Sequence, residues 1–304
     1  MNDMPINITS IDNTLLLRLR DKLPISYEVH SRFAKAVNLI DQKGAMITLL
    51  CDGLPNGPST ALVNIPSFSS LSKAIDVGQK FVYHSGLLAN QDIEFSFSNK
   101  PLIWESTISP INRAIKNAEI DLISELLMAH EALISPLDME IENSVALYIS
   151  QKLRESLEGL IQALFYKNNV LVKVYVEALI GLGQGLTPSG DDRLLGLMLV
   201  LYLYGDRFQD EIYQIEQIVD NSQDKTHDIS WWMLHHGSLG QFNEWLLDYG
   251  NLLSKPFQSD SLLNEKACLL KILSIGSQSG GDMVTGILSG LKLVKMTNIE
   301  WGFK

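Results

Sequence analysis

Between Gly181 and Asp192 the chain reads Gly-Leu-Gly-Gln-Gly-Leu-Thr-Pro-Ser-Gly-Asp-Asp, and an almost wholly apolar run, Leu194 to Tyr204, follows directly. Glycines let a loop adopt positive φ and let backbone amides approach a ligand. A hydroxyl residue just before an apolar run marks a helix N-terminus. The segment therefore predicts a glycine-rich loop feeding a buried helix, whose free N–H groups and positive dipole end suit an anion. Asp191 and Asp192, in the first turn, would compete with that anion unless a cation mediates. The same residues also read as a cap, with Ser189 as N-cap and Asp192 at N3. Gly181, Gly183, Gly185 and Pro188 are more than a cap requires.

The rest of the chain limits what such a loop can serve. A formal charge of −11 and no basic run argue against a nucleic-acid surface. Leu194 to Tyr204 is the longest apolar run and falls short of the roughly 20 residues of a membrane span. The first ten residues lack the basic and apolar regions of a signal peptide. Cys51 and Cys268 stand far apart, in no metal-binding spacing, and read as reduced thiols. A cytoplasmic globular protein is expected, with no nucleic acid and no membrane among its partners.

Periodicity divides the chain into a β-rich half, 1–108, and a helical half, 109–304, an α+β class. Ala45 to Cys51, Thr60 to Ile65, Lys80 to His84 and Ile93 to Phe97 read as strands of an antiparallel barrel or sandwich. A short helix, Leu15 to Leu23, precedes them. The Asp52 to Ser59 segment is dense in breakers, and its Asn56-Gly57 pair suits a hairpin-type turn. Helical spacing predicts helices over Ile111 to Met128, Met139 to Tyr166, Val170 to Ile180, Arg207 to Val219, Ser230 to Tyr249 and Ser261 to Ile275.

One internal echo joins two helix starts. Ser189 to Gly196 and Ser279 to Gly286 share the pattern S-G-x-D-x-x-x-G. Glycine inside a helix costs about 1 kcal/mol relative to alanine, so Gly196, Gly286 and Gly290 suggest close helix approach. Crossing with adjacent N-termini would bring Asp192 and Asp282 together. Asp191, Asp192 and Asp282 could then hold Mg²⁺, which takes one or two carboxylates plus waters and substrate phosphate. Two independently capped helices explain the same residues. Gln184, Thr187, Gln278 and Ser279 are neutral groups suited to an amide or carboxylate ligand. Farther on, Thr226 or Ser230 can cap a helix beginning near Trp231, and His227 is a candidate acid–base group. There is no Gly-Lys-Ser/Thr ending to make a P-loop. A helix rather than a strand precedes the loop, which excludes a dinucleotide fingerprint.

At Gly181 to Gly196 the sequence resembles the AllH-type family, whose hallmark is a G-x-G-x-G-L-T-P-S-G-D-D loop. Weaker marks are Asn56 to Ser59, Thr226 and Ser230, and Ser279 to Asp282. The resemblance covers most of the chain. It implies a subunit of oxamate carbamoyltransferase acting in anaerobic allantoin and purine catabolism beside AllF-type and AllG-type subunits. That enzyme interconverts carbamoyl phosphate plus oxamate with oxalurate plus phosphate. By the resemblance, Gly183, Gln184, Gly185 and Gly190 contribute to substrate binding, with Thr187, Ser189, Ser279 and Gly280. Asp192 and Asp282 would be catalytic, orienting a metal or the carbamoyl NH₂ group. The Ser-Thr-Arg-Thr-Arg signature of other carbamoyltransferases is absent. A non-catalytic scaffold or ligand-sensing subunit, and a stand-alone metal-dependent enzyme, are the rival expectations.

Overall fold

A computed structural model describes residues 5–20, 23–134, 144–258 and 260–300. The chain divides into two compact units, Met1–Ser106 and Thr107–Lys304.

The first unit is an eight-stranded barrel. Its strands are β1 (Ile6–Asp12), β2 (Ile25–Arg32), β3 (Ala36–Asp41), β4 (Met46–Cys51), β5 (Thr60–Val63), β6 (Lys80–His84), β7 (Leu87–Ala89) and β8 (Glu94–Ser96). Neighbours run β5-β4-β3-β2-β6-β7-β8-β1, and β1 returns to β5, which removes the open edges. The closing pair carries an irregularity, with Ile8 opposite Val63 but Ser10 opposite Leu62. A short β9 (Leu102–Trp104) adds to β1 outside the ring. Alternation drives the packing: in β6, Phe81 and Tyr83 are buried while Lys80, Val82 and His84 face out. Ile11, Val37, Leu39, Leu49 and Phe95 complete much of the interior.

Two local expectations change here. The Asn56-Gly57 pair does not turn a hairpin, because β4 and β5 run parallel, Thr48 opposite Thr60. Asn56 is buried and accepts the Ser10 hydroxyl at 2.6 Å, so its side chain anchors a return connection to β1. The first helix, α1 (Asn13–Arg18), starts at an Asp12 cap and stops short of Leu23. Residues 21 and 22 of the expected helix lie outside the described residues.

The second unit holds α2 (Asn117–Ile134), α3 (Ser144–Phe165), α4 (Asn169–Leu179), α5 (Ser189–Leu203), α6 (Gly205–Asp220), α7 (Asp228–Ser238), α8 (Glu244–Leu253), α9 (Ser261–Leu273) and α10 (Ser279–Glu300). The start expected for α3 at Met139 falls outside the described residues. Helix α2 begins six residues later than Ile111, because Glu119 accepts the Lys116 amide at 2.6 Å and both terminal nitrogens of Arg113. The expected helix from Ser230 to Tyr249 is two helices. Gly240, at φ 74°, breaks it, and Asn243 recaps α8 through the Leu246 amide.

Helix α5 is buried on nearly every side, which accounts for a sequence apolar all round. Its nearest companion is α10. A Cβ on Gly196 would strike the Met283 carbonyl, and one on Gly286 would strike the Arg193 carbonyl. The glycines predicted to allow close approach are the contact points. Among the described residues, no helix is long and apolar enough to cross a membrane.

Candidate functional site

The loop between α4 and α5 is shaped by where its amides go. Leu182 donates to Leu179 O at 2.9 Å, and Gly190 donates to Leu182 O at 2.8 Å, closing an arch over residues 183–189. Within that arch the amides of Gly183, Gln184, Gly185, Leu186, Thr187 and Ser189 make no hydrogen bond among the described residues. Gly183 sits at φ 130°, and a Cβ there would lie 2.6 Å from the Ser189 nitrogen. Its missing side chain thus leaves the Ser189 amide uncovered. The helix N-cap is Pro188, with no side-chain cap bond, so Ser189 is the first helical residue rather than the cap. Proline accounts for the shift: its carbonyl accepts the amides of Asp191 and Asp192 at 2.9 and 3.2 Å.

Asp191 is 2% exposed and fully engaged. One oxygen accepts the Gly181 amide at 2.7 Å; the other accepts the Thr226 and Ser230 hydroxyls at 2.5 and 2.6 Å. Burial raises its pKa, and these three donors pull it back down in part. Thr226 and Ser230 therefore do not cap α7, whose N-cap is His227. Their hydroxyls serve a carboxylate 35 and 39 residues away instead.

Asp192 has the opposite environment. It is 1% exposed, and neither carboxyl oxygen has a hydrogen-bond partner. Burial pushes its pKa up to about 8, helped by the charges of Asp282 and Asp191. The hydroxyls of Ser279 and Thr187 stand near enough to temper the shift, yet they bond to each other at 2.9 Å and neither completes a bond to the carboxyl. Near neutral pH the group is mostly protonated and neutral.

The two S-G-x-D starts do come together. Thr187 meets Ser279, and Asp282 accepts Arg193 Nε at 2.8 Å. Ser279 is itself the first residue of α10. Gly190 and Gly280, expected to offer amides to a substrate, donate them to Leu182 and Ile275 carbonyls. A Cβ on either would collide with the backbone of the preceding helix, at Leu179 or Ile272, so both glycines are packing residues. Of the three acids expected to share a metal, Asp191 is committed to its donors and Asp282 to Arg193. Among the described residues, no group of three or more His, Cys, Asp or Glu is gathered that could hold a metal ion.

A pocket of about 480 Å³ opens beside the arch, lined by Gly181, Gly183, Gln184, Gly185, Pro188 and the segment Asp224 to His227. Of the residues that the sequence put forward for substrate binding, Gly183, Gln184 and Gly185 are in its lining. Thr187, Ser189, Asp192, Ser279 and Asp282 lie outside its lining, at the paired helix starts. The wall contributed by Lys225 went unseen in the sequence. Nothing local marks it; the bonds from Thr226 and Ser230 to Asp191 and the packing of Gly181 on the Lys225 carbonyl bring it to the loop.

Family comparison follows the same division. Residues 179–291 match the family model described as oxamate carbamoyltransferase subunit AllH. Residues 7–102 match the AllH family N-terminal domain. No solved structure matches the chain.

Proposed function

The chain belongs to the AllH family, and on that premise we propose that it works as a subunit of a cytoplasmic oxamate carbamoyltransferase, beside AllF-type and AllG-type subunits. The reaction interconverts carbamoyl phosphate plus oxamate with oxalurate plus phosphate. The observation that carries this reading is the arch of unbonded amides at Gly183 to Ser189, inside the matched segment and open to a pocket. Both substrates are anions, and preorganised amides stabilise charge on phosphate and on a carbonyl oxygen during acyl-type transfer.

In the direction of oxalurate breakdown, a phosphate oxygen attacks the ureido carbonyl. The C–N bond to the oxamate nitrogen then breaks, and that nitrogen gains a proton. Asp192 holds such a proton near neutral pH, and the half-exposed hydroxyls of Thr187 and Ser279 would have to turn from each other toward its carboxyl to pass it on. The proton lost by the attacking phosphate restores the carboxyl, and in the reverse direction both transfers run backwards. Arg193, paired with Asp282, offsets part of that acid's charge beside Asp192.

A scaffold role is the second reading, favoured by the packing of Gly190, Gly196, Gly280 and Gly286 against backbone. One experiment separates them. The chain is co-expressed with its partner subunits, and phosphate release from carbamoyl phosphate is measured with and without oxamate. Loss of oxamate-dependent release in an intact Asp192→Asn complex supports the catalytic reading; full activity in that complex supports the scaffold.

A further inference from the structure

We propose that the pocket between the arch and the Asp224 to His227 segment is a phosphate-binding subsite, with Lys225 as its cation and the His227 ring as a second donor on the same wall. This deepens the transferase reading and rests on it for the identity of the substrate. The binding itself follows from groups that converge on one space. One wall carries Gly183, Gln184 and Gly185, whose amides are unbonded; the other carries Lys225 and His227, both exposed. Amides supply directional donors to phosphate oxygens, while lysine supplies a point charge.

The second wall is held to the first rather than being a stray surface turn. Asp191 takes the Gly181 amide from one side and the Thr226 hydroxyl from the other. Gly181 lies so close to the Lys225 carbonyl that a Cβ would collide with it. Buried Asp191 thereby fixes the width of the opening. Two acids act against an anion here. Asp224 lines the pocket, and Glu177 pairs with Lys225 at 3.3 Å. That pair is exposed on both sides, so phosphate can exchange for Glu177 at little cost.

These opposing charges give the test a sign. Inorganic phosphate is titrated into the full chain, and amide shifts are followed by NMR for wild type, Lys225→Met, His227→Asn and Asp224→Asn. Asparagine keeps a good N-cap residue on α7. The expected result is saturable shifts centred on Gly183, Gly185 and Ser189. Affinity should fall about tenfold in Lys225→Met, the loss of one charge-assisted contact. It should fall in His227→Asn and rise in Asp224→Asn. Equal affinity in wild type and Lys225→Met overturns the proposal, as does the absence of loop shifts at tens of millimolar phosphate. Because the chain is titrated alone, a failed transferase assay with intact phosphate binding would count against the carbamoyl reading only.

Discussion

Gly196 packs against the carbonyl of Met283, and the relation is reciprocated when the helices exchange roles, Gly286 against the carbonyl of Arg193. In the repeated pattern S-G-x-D-x-x-x-G, these are the eighth position of each helix on the fifth position of the other. The internal echo is therefore a local pseudo-dyad between α5 and α10. Alanine at Gly196 or Gly286 should destabilise the chain by about 1–3 kcal/mol, the usual cost of overpacking. Chemical denaturation of the two variants checks this, and similar losses are expected from the shared geometry. A neutral result at either glycine would show that the helices separate freely.

Asp191→Asn replaces an acceptor of three bonds with a group that can accept only through one oxygen. Buried donors are left without partners, at about 1–3 kcal/mol. We expect lower thermal stability together with weaker substrate or phosphate binding, because the two pocket walls lose their common anchor. Stability that drops while affinity stays constant would confine Asp191 to a folding role.

Stability should depend on pH through two buried carboxyls. Asp192 and Glu265 each have a folded pKa of about 8, against 3.8 and 4.5 for the ordinary groups. For Glu265 the cause is burial first, then the charge of Glu119 beside it. The folded state holds both protons more tightly than the unfolded chain. Their contribution is thus fully present below about pH 4, is lost as pH rises toward 8, and levels off above that. The slope for each group is about 1.4 kcal/mol per pH unit within the window. Asp192→Asn should flatten part of this decline and be more stable than wild type near pH 8. Urea midpoints from pH 5 to 9 test it; parallel curves for the two proteins would contradict the assignment.

Gly183→Ala places a Cβ 2.6 Å from the Ser189 nitrogen at a backbone φ of 130°. Strain there is of order 1–3 kcal/mol, and the uncovered amide is lost to ligands. Binding should fall more than stability, as read by phosphate titration beside a melting curve.

Much of this was legible before any coordinates. The change near residue 109 shows as a change of period, from alternation in Ile93 to Phe97 to helical spacing after Ile111. The arch is legible because four glycines and a proline before an apolar run have few other uses. What local sequence hides is the destination of side chains. Thr226 and Ser230 carry the chemistry of a cap, and the same hydroxyls satisfy Asp191 once the chain folds. Asn56-Gly57 has the chemistry of a hairpin turn, yet closure of β1 on β5 demands a parallel return. Nor does composition distinguish Asp191 from Asp192, whose environments differ because one side of the α5 start faces the donors at Gly181, Thr226 and Ser230 and the other faces the start of α10.

The reciprocal glycine contacts also restrict movement. Each helix has a notch seated on the other's backbone, at two points facing opposite ways, so α5 and α10 lack a free stroke along each other. Their N-termini, with Thr187 and Ser279 joined across the gap, ride as one platform. The stretch from Gly183 to Leu186, whose amides make no hydrogen bond among the described residues, is the part of the arch not tied into that platform.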